Sequence, residues 1–164
     1  MDMLVKLYDL RPDAELDARI AAHGFEIRLA LPPELHVVTR WIASRFGEGW
    51  ASEATIAMSR QPVSCLLATV EGKLAGFACY DATARGFFGP TGVDESHRSK
   101  GVGQALLLRA LLAMRDIGYG YAVIGSAGPM EFYRRTVGAI PIEGSKPGIY
   151  RGMLDLGPTG PTGS

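Results

Sequence analysis

A chain of 164 residues, 47% apolar and 21% charged, has the make-up of one ordinary globular domain, able to bury about two thirds of the surface its unfolded form exposes. Its 17 basic residues balance 17 acidic ones at a pI near 6.8, which excludes the electrostatic footprint of a nucleic-acid or anionic-membrane binder and leaves local basic clusters to serve something small. The first residues lack the apolar core of a secretory signal and no run reaches transmembrane length, so a cytoplasmic protein with no membrane partner is expected.

Met3 to Leu10 reads as a short strand, and Pro12 suits the first turn of a helix that runs to a glycine stop at Gly24. Phe25 to Leu31 alternates as a strand does, and Pro32 and Pro33 break it. Val37, Trp41, Ile42 and Phe46 then recur at helical spacing over Glu34 to Phe46, and a second helix is expected over Ala51 to Ser59. The runs "SCLLATV" and "KLAGFACY", separated by Glu71 and Gly72, predict a β-hairpin. Cys65 and Cys79 lie within it; they fit no zinc spacing and are expected as buried thiols, with no metal.

"GFFGPTGV" predicts a further strand, followed by a loop and a helix over about Gln104 to Ile117 that ends at Gly118. The apolar run "YAVIG", Tyr121 to Gly125, predicts a buried strand parallel to the one before the helix, a β-α-β crossover. Pro129 to Val137 reads as a short helix stopped by Gly138, and "AIPIEG" and "GIYRGML" as closing strands. Residues 1–156 thus form one domain, while 157–164, "GPTGPTGS", contain too little apolar surface to fold and are expected as a disordered tail.

The segment "RSKGVGQ", Arg98 to Gln104, carries the chemistry. A strand ends at Val93, a tight loop follows, and a helix begins, so the free N–H groups and positive dipole end of that helix face the loop and suit a phosphate. A magnesium-holding P-loop needs Lys and Ser or Thr after its last glycine, where Gln104 and Ala105 stand. The dinucleotide fingerprint needs a third glycine where Leu106 stands. What Arg98, Gly101 and Gly103 do satisfy is an arginine or glutamine, two residues, glycine, one residue, and glycine or alanine.

In this motif, in the hairpin before it, in Val93 at the strand end, and in "EFYRRTVGA" with Phe132, Tyr133 and Gly138, the chain resembles the GNAT superfamily of acyl-CoA-dependent N-acyltransferases. Resemblance is closest over Ser64 to Gly138 and compatible over Phe25 to Ser59. It implies an α/β (α+β) fold, a GNAT-like, mixed, mostly antiparallel and splayed sheet flanked by helices, with one parallel β-α-β crossover. Three positions depart from the family's usual residues: Ser126 (often Asn), Pro129 (often Ala) and Ala139 (often aromatic).

The resemblance further implies acetyl-CoA as cosubstrate, transfer to a primary amine by direct attack, and residues to match. The cosubstrate would lie along Thr91, Gly92 and Val93, across Arg98, Ser99, Lys100, Gly101, Val102, Gly103 and Gln104, and against Ser126 and Tyr133. Pro90 lacks an N–H to give a neighbouring strand, and Gly89 and Gly92 favour a bulge, so the ladder is expected to part there. Thr91 would then point its N–H at the thioester carbonyl, an oxyanion position, and Tyr133 would protonate the departing thiolate or else serve as a core tyrosine. Some relatives carry a basic glutamate at the place of Phe87; here Glu53, Asp81, His36 or a water relay remain, with Glu53 favoured. Trp41 and Trp50 either line the acceptor pocket or pack in the core, and Arg134 and Arg135 either meet the CoA phosphates or are solvated. A homodimer is compatible with the family, and a non-catalytic acyl-CoA-binding sensor on the same fold is the alternative to an enzyme.

Overall fold

The computed structural model describes residues 1–157; the tail expected from 157 onward therefore lies, from 158, outside the described residues. Seven strands form one sheet in the order β2-β3-β4-β5-β6-β1-β7. β1 (Met3–Lys6) is shorter than its apolar run, because Leu7–Asp9 turn into a 3-10 helix, with the Leu7 N–H donating to Gly120 O at 3.0 Å. α1 (Ala14–Ala22) starts behind Asp13, whose carboxylate accepts from the Leu16 N–H at 3.0 Å and so caps the helix. β2 (Phe25–Leu29) ends before the two prolines, which fold into a 3-10 turn.

α2 (Leu35–Phe46) and α3 (Glu48–Met58) are separated by Gly47 alone, at φ 102°, so α3 begins earlier than the expected Ala51. β3 (Cys65–Val70) and β4 (Lys73–Tyr80) form the expected hairpin around Glu71 (φ 52°) and Gly72 (φ 73°). This pair of left-handed residues gives a turn whose twist matches the strands. Cys65 and Cys79 face each other across it as buried free thiols. β5 (Phe87–Val93), α4 (Val102–Asp116) and β6 (Tyr121–Ile124) make the crossover, and β5 and β6 are the parallel pair. α5 (Met130–Val137) stops at Gly138 (φ 67°), and β7 (Ile140–Pro141) is two residues long.

One expected element is absent. "GIYRGML" is no strand: Gly148–Tyr150 form a 3-10 turn and the described residues after it join no sheet. Gly148 (φ 62°) and Gly152 (φ 74°) take left-handed backbone, which breaks any extended run between them. The place beside β6 belongs to the N-terminal strand instead: β1 pairs antiparallel with β6 from Met3↔Ile124 to Lys6↔Tyr121 and with β7 on its other side.

Each face of the sheet has its own core. α1, α4 and α5 cover one face through Leu16, Ile20, Leu106, Leu107, Leu111 and Val137, and α2 and α3 cover the other through Val38, Ile42, Trp50 and Ala54. Fully buried Leu106, Leu107 and Leu111 each stabilise the fold by roughly 1.5–3 kcal/mol relative to exposure. That burial holds the N-terminus of α4 against the sheet.

The ladder parts at the expected place. β5 pairs with β6 only at Phe87↔Val123 and Phe88↔Ile124, just before Pro90. On its other side β5 keeps to β4 through Thr91↔Ala78, Gly92↔Phe77 and Val93↔Gly76, after a register shift between Ala78 and Tyr80. Thr91 to Val93 therefore keep one strand edge facing an open gap.

Candidate functional site

The loop between β5 and α4 is fixed from several sides. The Asp94 N–H donates to Ala75 O at 2.8 Å, its carboxylate accepts from the Ser96 N–H and hydroxyl, and Arg45 Nε donates to it at 2.7 Å. These charge-assisted bonds hold the Asp94 carboxyl down at about 2, with Arg45 the leading cause. Arg98 donates from Nε to Val93 O at 3.3 Å, and Ser99 (φ 68°) and Gly101 (φ 89°) bend the chain through left-handed backbone into α4. The helix starts at Val102, earlier than the expected Gln104, because the left-handed Gly101 is its boundary. The unpaired N–H groups of the first turn then face a cavity of about 260 Å³ lined by this loop, Val93, Phe132 and Arg19.

Two side chains of the loop take distinct courses. Lys100 Nζ lies over the Phe25 ring, 5.9 Å from its centre. His97 meets the same ring edge-on at 5.4 Å, and its Nδ1 is buried without a hydrogen-bond partner beside the cavity.

At the gap, the Thr91 hydroxyl donates to Phe77 O at 3.0 Å, which turns its side chain back to β4. Gly92 lies directly under Phe46: a Cβ there would come within 2.6 Å of the ring. Across the gap, Ser126 (φ 47°) donates its N–H to Asp2 Oδ1 at 2.8 Å, so that N–H is already engaged within the chain. Tyr133 is 1% exposed, set edge-on to Phe88 and Phe132, and burial raises its phenol pKa.

Of the proposed bases, Glu53 is half-buried on α3, accepts a hydrogen bond from the Thr83 hydroxyl, and has its carboxyl raised by desolvation. Asp81 is committed elsewhere: its Oδ1 accepts from the Gly86 N–H at 2.7 Å and the Tyr119 hydroxyl at 2.9 Å, closing the β4–β5 loop. His36 is exposed on the first turn of α2. Trp50 is buried and stacks on Phe46 at 5.1 Å, and Trp41 meets Phe77 edge-on, so both tryptophans pack beneath β4. Arg134 pairs with Glu131 on its own helix, and Arg135 is exposed.

No signal in the sequence pointed to the groups that stand near Glu53. Tyr150, within the segment expected as a strand, places its hydroxyl 2.9 Å from the position of a Cβ on Gly125, where β6 leaves β5. Burial, with the Glu53 and Asp2 charges behind it, pushes its phenol up to about 12, and the nearby Thr83 side chain acts in the opposite direction. Asp2 is 6% exposed and also holds the C-terminal segment, its N–H donating to Ser145 Oγ at 2.8 Å. Among the described residues no group of three His, Cys, Asp or Glu side chains is arranged to hold a metal ion, and no helix is long and apolar enough to cross a membrane.

Comparison with known proteins places this arrangement. The profile of the acetyltransferase (GNAT) family matches residues 35–139. No curated protein matches the chain significantly. Among solved structures, a glucosamine N-acetyltransferase region of a fungal multi-domain beta-N-acetylglucosaminidase is 14% identical with a TM-score of 0.68, over 83% of this chain and 19% of that one. A GCN5-related N-acetyltransferase from Sphaerobacter thermophilus is 21% identical (TM-score 0.62; 85% of this chain, 47% of that one). A GNAT family acetyltransferase from Brucella melitensis, in complex with acetyl-CoA, is 17% identical (TM-score 0.50; 69% and 81%). This chain spans less than half the length of the first two, and the likenesses establish the fold.

Proposed function

The chain belongs to the acetyltransferase (GNAT) family, and from that premise we propose that it moves an acetyl group from acetyl-CoA to a primary amine of a small molecule by direct attack. The observation that carries this reading is the parted β5–β6 pair, with a free strand edge at Thr91 to Val93 beside the cavity at the start of α4. Such an edge can pair with the amides of pantetheine, and the loop and helix N–H groups suit its diphosphate. The Brucella melitensis relative, solved in complex with acetyl-CoA, supports the choice of cosubstrate.

In this reading Gly101 to Gln104 hold the diphosphate, with Arg98 and Ser99 shaping the loop, and the Thr91 N–H meets the thioester oxygen. Negative charge grows on that oxygen as the amine attacks, and a fixed donor there is worth roughly 3 kcal/mol in other enzymes. Glu53 takes the proton that the ammonium must lose; a raised carboxyl is the better base for that task. The nitrogen–carbon bond forms, the carbon–sulfur bond breaks, Tyr133, kept protonated by burial, gives its proton to the sulfur, and the second proton shed by the new amide nitrogen restores the phenol. Tyr150 and Thr83 flank Glu53 on the acceptor side.

Thermal unfolding with acetyl-CoA, CoA and ATP in parallel tests the binding. Ligand at a hundred times its Kd adds about 2.7 kcal/mol, or about 5–10 °C for a chain of this size. The expected result is that rise with acetyl-CoA and CoA and little with ATP, followed by thiol release from acetyl-CoA in an amine screen. No rise at millimolar acetyl-CoA overturns the proposal, and a rise without thiol release for any amine reduces the protein to an acyl-CoA-binding module.

A further inference from the structure

Helix α1 lies outside the family match, which begins at residue 35, yet it reaches the loop before α4. Leu16 and Ile20 are buried in the core shared with α4, and this fixes α1 against the start of that helix. Arg19, three residues after Leu16, stands beside it on the helix surface, and its guanidinium reaches the loop. A Cβ on Gly101 would lie 3.0 Å from Leu16 Cδ1 and 3.3 Å from both Arg19 Cζ and Nη2. The guanidinium thus rests on the glycine that opens α4, and Arg19 lines the 260 Å³ cavity with His97, Ser99 and Gln104.

Charge is left over at this point. Asp17, the acidic neighbour on α1, turns to Arg109 at 4.0 Å, and Arg19 pairs with no carboxylate among the described residues. The loop's own cations are otherwise engaged: Arg98 Nε donates to Val93 O, and Lys100 lies over Phe25.

We propose that Arg19 is a phosphate-binding residue, closing the diphosphate of acetyl-CoA from α1 while the N–H groups of α4 hold it from below. Guanidinium forks match phosphate oxygens, and the approach of Arg19 over a residue without a side chain lets it come that close. This inference rests on the function proposed above. It adds that the N-terminal helix α1, as well as the matched segment, contributes to the cosubstrate site.

Calorimetric titration separates the two statements. Acetyl-CoA and S-acetylpantetheine, which lacks the nucleotide and its phosphates, are each titrated into the wild type, Arg19→Gln and Arg109→Gln. Loss of one charge-assisted phosphate contact should weaken acetyl-CoA binding about tenfold in Arg19→Gln. Its S-acetylpantetheine affinity should be unchanged, and Arg109→Gln, which removes the same charge away from the cavity, should alter neither. Unchanged acetyl-CoA affinity in Arg19→Gln, or an equal loss for both ligands, overturns the role of Arg19 while the cosubstrate reading stands. A wild type that binds neither ligand removes that reading and this inference together.

Discussion

Desolvation raises the Glu53 carboxyl above its ordinary value of 4.5, and the Thr83 hydroxyl only partly offsets it. The sign of the pH effect follows from the direction of the shift. Below the unfolded value both states are protonated and nothing is lost; as pH rises through the raised folded value, the native state must carry a poorly solvated charge and stability falls. Glu53→Gln should therefore raise Tm at pH 7–8 by about 1–3 °C and give no gain near pH 4, while acetyl transfer drops. Differential scanning calorimetry at both pH values checks this, and equal Tm for the two proteins at pH 8 would refute the buried-charge account. The sequence made Glu53 a candidate because it stands on the helix expected, from the family resemblance, to border the acceptor cleft. Its neighbours Thr83 and Tyr150 were illegible, since a loop and a turn are brought to it by tertiary packing, and Tyr150 read as part of a strand.

At the scale of the β5–α4 element, the two glycines of "KGVG" look alike in the sequence but meet different constraints. Gly101 has φ 89° and sits under Leu16 and Arg19, whereas Gly103 takes ordinary helical backbone and a Cβ there would meet only Val93 Cγ2, at 3.6 Å. Gly101→Ala should cost about 1–2 kcal/mol from left-handed backbone, with further loss as the new methyl displaces Arg19. Gly103→Ala should instead stabilise by about 0.5–1 kcal/mol, since alanine gives up less freedom in a helix, and acetyl-CoA binding should persist. Urea unfolding of both variants separates the cases; equal destabilisation would show that φ at Gly101 is not the deciding factor. The motif announced a turn, a helix start and an anion. What it could not announce is the residue leaning over the turn, because Arg19 belongs to a helix far back in the chain.

The sheet consists of two parts, β2-β3-β4-β5 and β6-β1-β7, joined through the two residue pairs of β5 and β6. The antiparallel hairpin, the crossover and the parting at Pro90 were legible, because each is written in neighbouring residues. The insertion of β1 between β6 and β7 was not, because nothing local in "MLVK" says which strand it will join. Its place in the interior carries a measurable consequence. Met3 and Val5 are 0% exposed, although they stand near one end of the chain, whereas Leu29, at the end of edge strand β2, is 43% exposed. If β1 is an interior strand, Val5→Ala should cost about 2–3 kcal/mol through lost burial and an unfilled cavity, lowering Tm by about 5–10 °C. Leu29→Ala, on a half-solvated edge, should stay within about 0.5 kcal/mol of the wild type. Because β1 is separated from the gap by β6, the folded Val5→Ala protein should still bind acetyl-CoA within about twofold of the parent, additivity holding for sites without shared partners. Similar small losses from both substitutions would mean that β1 frays like an edge in solution, and the second part of the sheet, with the far wall of the gap, would then lack its central strand.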